Sequence, residues 1–138
     1  MPRFVDTNVA LYSISDDPTE APQRRVAQAL FDATDLVVST QVLSEFYVQA
    51  TRPPRSAPLT HDQAVQIIVS LTRYPVQPVT LDVVVSALTT KERFQISHWD
   101  ALIIEAARAA GCHEVLSEDL SSDQDYGGVV VRNPFVGQ

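Results

Sequence analysis

The chain has 138 residues, 45% of them apolar, with 10 basic against 17 acidic side chains and a formal net charge of −7. That size suits one core, so a single domain over residues 1–138 is expected; no apolar run approaches the ~20 residues that span a bilayer, and the start at Met1-Pro2-Arg3 enters a strand pattern directly, which points to the cytoplasm and no membrane. The acidity argues against unaided phosphate binding, which rests on clustered Lys and Arg, and the lone Cys112, at the end of an alanine-rich helix pattern, excludes an internal disulfide and reads as a buried, inert thiol.

Phe4-Val5 reads as a first short strand ending at Asp6. Pro22 to Ala33, with Val26, Ala29, Leu30 and Ala33 on one face, reads as a helix, and Leu36-Val37-Val38 as the second strand. Ser39 then caps a helix from Thr40 to Thr51, with Val42, Leu43, Phe46, Tyr47 and Ala50 at helical period, which Arg52-Pro53-Pro54-Arg55 ends. Thr60 and Gln63 form a capping-box pattern ahead of a helix that buries Ala64, Ile67, Ile68 and Leu71 and stops at Pro75. Val76 to Val79 is a weak strand, placed at a sheet edge because Pro78 lacks a backbone donor. Thr80 caps a helix to about Lys91, and Ser97-His98-Trp99-Asp100 opens an apolar helix to Ala110, stopped by Gly111. Val115-Leu116 and Val129-Val130-Val131 complete the pattern.

Short apolar strands separated by helices predict an α/β fold with a mostly parallel sheet covered on both faces. Such folds place their sites at the carboxyl ends of the strands. Four acids fall at element ends that face that side: Asp6 after the first strand, Glu45 in the helix after the second, Asp100 in the first turn of its helix, and Asp119 beyond Val115-Leu116. Each has an ordinary explanation alone: Asp100 as a capping-box acid, Glu45 as a solvated helix residue, Asp119 as a loop acid. Asp6 is harder to dismiss, because Asp is disfavoured in strands.

Several carboxylates in one pocket repel one another and need cations or raised pKa values to coexist. An oxygen-only set, with His61, His98 and His113 scattered, points to Mg²⁺ or Mn²⁺ and not zinc. Bound divalent cations would also offset much of the negative charge. The chemistry that suits such ions is phosphoryl transfer or phosphodiester hydrolysis. With four glycines and no phosphate-cradling glycine motif, nucleoside-triphosphate chemistry is not expected.

Phe4-Val5-Asp6-Thr7-Asn8, Ser39-Thr40-Gln41-Val42-Leu43-Ser44-Glu45, His98-Trp99-Asp100-Ala101-Leu102-Ile103 and Leu116-Ser117-Glu118-Asp119-Leu120, in this order, resemble the PIN-domain nucleases, and most closely the VapC-type toxins of bacterial toxin–antitoxin systems. The likeness runs through essentially the whole chain. It implies a three-layer α/β/α fold and a Mg²⁺- or Mn²⁺-dependent endoribonuclease acting on cellular RNA such as tRNA or ribosomal RNA. By position, Asp6, Glu45, Asp100 and Asp119 match the metal-binding acids, and Thr7, Asn8 and Ser117 match polar positions that orient them. Asp123, in the polar stretch Ser121-Ser122-Asp123-Gln124-Asp125 where the chain departs most from the family, is a further supporting candidate.

The resemblance also implies a homodimer and a cognate antitoxin whose tail enters the groove. Arg52, Arg55, Lys91 and Arg93 are the basic candidates for RNA contact. Two other classes stay open: a non-catalytic RNA-binding or regulatory relative with the same fold, and a receiver-like domain phosphorylated on Asp6. Four retained acids argue against the first, and Asn8 in place of a second nearby acid argues against the other.

Overall fold

The computed structural model describes residues 1–53 and 57–136. Its strands are β1 (Arg3–Val5), β2 (Leu36–Ser39), β3 (Val76–Gln77), β4 (Glu114–Leu116) and β5 (Val130–Arg132). The helices are α1 (Thr7–Ser13), α2 (Ala21–Leu30), α3 (Thr40–Thr51), α4 (His61–Leu71), α5 (Leu81–Phe94) and α6 (His98–Ala109), with a short 3-10 turn at Pro18–Glu20. The strands form one sheet in the order β3-β2-β1-β4-β5, and all the strand pairings are parallel.

Phe4 and Val5 lie at the centre of that sheet, Phe4 opposite Val37 on one side and Val115 on the other. Both are fully buried, as are Val38, Val115 and Val131, which is why these strands are runs of apolar residues with no polar alternation. The Arg3 guanidinium pins the start of β1 to β2 by donating to both carboxylate oxygens of Asp35, at 2.8 and 2.9 Å. β3 stands at the edge and stops at Gln77, where Pro78 can give no further bond.

From β1 the chain moves outward to β2 and β3, then crosses back over β1 to β4. With right-handed crossovers, this reversal puts α1–α4 on one face and α5–α6 on the other, the three-layer α/β/α arrangement. The packing agrees: α1 rests on α2 and α3, α3 on α4, and α5 on α6. The reversal leaves a crevice where β1 and β4 lie side by side, at the carboxyl ends of both strands.

The elements follow the sequence reading except near the start. Helix α1 was not anticipated, since its seven residues carry no polar stripe and its cap is Asp6 itself, whose Oδ1 accepts from the Thr7 N–H at 2.7 Å. In α2 the buried position is Ala27, with Val26 and Leu30 half-buried beside it, whereas Ala29 faces solvent. The capping box at Thr60 and Gln63 is present. Gly111 ends the α6 segment at φ +79°, where a side chain would be strained. Cys112 is buried, and burial pushes its thiol up to about 11, which disfavours the reactive thiolate. Among the described residues, no helix is long and apolar enough to cross a membrane.

Candidate active site

The crevice holds a cavity of about 70 Å³, and Asp6, Glu45, Asp100 and Asp119 all line it. Each arrives by a different route. Asp6 leaves the end of β1 and caps α1. Glu45 lies in the second turn of α3, which Ser39 starts at the end of β2 by accepting from the Val42 N–H. Asp100 sits in the first turn of α6, where Ser97 Oγ accepts from the Asp100 N–H at 3.0 Å. Asp119 follows β4.

A polar cluster fixes two of these acids relative to each other. Ser117 Oγ, fully buried, donates to Asp6 Oδ2 at 2.7 Å and accepts from the Asp119 N–H at 3.2 Å. The Asn8 amide nitrogen lies 3.1 Å from Ser117 Oγ, 3.2 Å from Asp119 Oδ2 and 3.5 Å from Asp6 Oδ2. Its carbonyl accepts from the Glu118 N–H at 3.2 Å, so both ends of the amide are engaged. On the other wall, Gln41 Nε2 donates to Glu45 Oε1 at 2.8 Å and to the Trp99 carbonyl at 3.3 Å, joining α3 to α6.

The electrostatics are one-sided. Among the described residues, no Lys, Arg or His lines the cavity and none of the four acids is in an ion pair. Burial pushes the Asp6 carboxyl up to about 6; hydrogen bonds from Ser117 and Thr7 oppose the rise, and the charges of Asp119 and Glu45 add to it. Burial likewise holds Asp100 above the ordinary carboxylate range, against a bond to Ser97 and with the charge of Asp119 adding.

The donor set fits a hard divalent cation. Among the described residues, all the side chains able to ligate in the cavity present oxygen, no cationic side chain lines it, and the buried oxygens Thr7 Oγ1 and Gln41 Oε1 have no protein partner. Among the described residues, no three acidic, histidine or cysteine groups are drawn together as a closed cage, so the four acids share a cleft without pre-forming a ligand shell.

Of the other sequence candidates, Thr7, Asn8 and Ser117 stand at the acids, as the preceding distances show. Asp123 does not: its carboxylate accepts from Arg132 Nη1 at 2.6 Å on the exposed side of the β4–β5 connection, away from the cleft. Arg52 lines an adjoining depression with Ser44, Glu45, Val48 and Gln49. Lys91 and Arg93 sit in the last turn of α5, outside the cleft lining, and Arg55 lies outside the described residues. Sequence reading passed over Leu11, Gln41, Gln49, Trp99 and Ile103, which also line the cavity. Only Gln41 carried a signal, because a residue four before a helical Glu stands next to it.

The PIN domain profile matches residues 3–123. No curated protein sequence matches the chain. Among solved structures, the fold is similar to a toxin–antitoxin complex from Klebsiella pneumoniae (TM-score 0.69, 16% identity, 96% of this chain and 97% of that one). It is also similar to VapC20 of Mycobacterium tuberculosis, described as a sarcin–ricin loop cleaving toxin (TM-score 0.68, 23% identity, 95% and 99%). A third likeness is to VapBC2 from Rickettsia felis bound to a DNA fragment of its promoter (TM-score 0.67, 15% identity, 96% and 98%).

Proposed function

The chain belongs to the PIN domain family, and from that premise we propose that it is a divalent-metal-dependent endoribonuclease, the toxin of a toxin–antitoxin pair. One observation carries the proposal: four carboxylates, from the end of β1, α3, α6 and the segment after β4, line one cleft that, among the described residues, contains no protein cation. Asp6, Glu45, Asp100 and Asp119 would hold Mg²⁺ or Mn²⁺. When bound, such an ion neutralises charge on a scissile phosphate and makes water more acidic.

The chain's own residues supply position. Ser117 and the Thr7 N–H hold the two oxygens of Asp6, Asn8 sets Asp119 against it, and Gln41 steadies Glu45. With no histidine or lysine in the cleft, proton movement is left to carboxylates and water. Arg52, exposed beside Glu45, is placed to meet the RNA backbone on the rim. The neighbours that are complexes of toxin with antitoxin support an antitoxin partner here, and a homodimer and cytoplasmic action belong to the same proposal.

Incubation of the purified chain with total RNA tests the activity. Cleavage is expected with Mg²⁺ or Mn²⁺ and not with a chelator; intact RNA under both conditions with RNA still bound would favour a non-catalytic binding domain. Asn8→Ala should lower the cleavage rate about 10- to 100-fold without unfolding the chain, since it removes the amide shared by Asp6 and Asp119. A rate unchanged in Asn8→Ala would show that this bridge positions nothing.

A further inference from the structure

Trp99 is the one tryptophan of the chain, and it is 65% exposed although it precedes a cleft acid. Isolated exposed apolar residues are ordinary on protein surfaces, so exposure alone assigns nothing. Its position is more specific. Trp99 lines the carboxylate cavity and also a second cavity of about 270 Å³, walled by Val79, Leu102, Thr40, Gln41 and Ser44. Gln41 is shared by both, and its amide nitrogen holds Glu45 and the Trp99 carbonyl together.

The second cavity is mostly apolar, with hydroxyls at its edge. Thr40 Oγ1 accepts from the Val79 N–H at 3.1 Å, which leaves its proton free to donate, and Ser44 is exposed. The His98 ring meets the indole at 5.5 Å with 65° between planes, which restrains the indole while most of the residue stays open. An exposed aromatic face beside apolar Val79 and Leu102 and the hydroxyls of Thr40 and Ser44, adjoining the site for a phosphodiester, suits a nucleobase.

We propose that this cavity seats one nucleobase of the RNA, stacked on the Trp99 indole beside the scissile phosphate, so that Trp99 is a positioning residue for the substrate. It rests on the nuclease reading above for the identity of the polymer. A base held there must be unstacked from its neighbours, and Gln41 ties the Trp99 backbone to Glu45 beside it.

The lone tryptophan allows a direct test. Rapid mixing with a short mixed-sequence RNA should quench the intrinsic fluorescence, and an abasic strand of the same length should not. Trp99→Ala should weaken RNA binding about ten-fold, with the loss falling mainly on KM, and Trp99→Phe should recover most of it. Cleavage by the parent with no quenching, or with the same KM in Trp99→Ala, would overturn the base seat and leave the nuclease reading intact. Quenching by RNA in a parent that cleaves nothing would keep the base seat and overturn the nuclease reading. Quenching that depends on protein concentration without RNA, with a dimer lost in Trp99→Ala, would show a second copy on this surface and overturn the proposal.

Discussion

Asp6→Asn is expected to lower RNA cleavage about a thousand-fold or more while the folded state becomes no less stable. The activity loss follows from position: Asp6 is the buried member of the cleft, at the crevice between β1 and β4, and the charge it contributes is what a divalent ion would meet there. The stability follows from what remains. An amide keeps the shape and an oxygen to accept the Thr7 N–H that starts α1; its nitrogen gives up the bond accepted from Ser117, which is offset by removing a desolvated charge that faces Asp119 and Glu45. The metal-free variant should therefore melt no lower than the parent at neutral pH. Rate assays and thermal melts decide it together: an active variant would remove Asp6 from the site, and an unfolded one would make its role that of a helix cap alone.

The second large effect is on stability against pH. The folded-state pKa of Asp6 is raised, from 3.8 to about 6, so the folded chain binds that proton more tightly than the unfolded one. Its contribution is complete below the ordinary value and is lost as pH rises from about 4 through 6, a swing of roughly 3 kcal/mol at ~1.36 kcal/mol per unit. Asp100, raised by burial, acts with the same sign. Asp35 runs the other way, because Arg3 holds its carboxyl below the usual range and its contribution is lost in acid. Comparing chelated parent and Asp6→Asn between pH 4.5 and 7.5 isolates the Asp6 share: the parent should lose stability relative to the variant across that window. Mg²⁺ at pH 7.5 should raise the melting temperature of the parent and not of the variant. Parallel pH curves for the two proteins would contradict the strained carboxylate.

The sheet, and with it the convergence of the acids, was legible because the signals are local. Phe4-Val5, Leu36-Val37-Val38 and Val115-Leu116 are uninterrupted apolar runs, and Ser39, Thr60, Thr80 and Ser97 each cap the helix expected from them. Helix α1 was hidden by its length and because its cap, Asp6, also faces the cleft. The supporting contacts were legible as residue types and not as geometry. Asn8 reaches Ser117 and Asp119 across more than a hundred residues, and no spacing in the sequence encodes which of its atoms touches which acid. Asp123 was only a supporting candidate in a polar loop, and what decides its place, the capture of its carboxylate by Arg132 of β5, has no local sequence signal. Nothing local in the sequence marks Trp99, since its exposure depends on how α6 meets α3 and the β3–α5 connection.

The central claim is that four distant carboxylates hold a divalent ion in common, and titration calorimetry with Mn²⁺ on the parent, Asp6→Asn and Asp119→Asn addresses it most directly. The parent should bind Mn²⁺, and each substitution should weaken that binding at least ten-fold while the fold is retained. A parent that binds no Mn²⁺, or variants that bind it as tightly as the parent does, would contradict a shared metal site in this cleft.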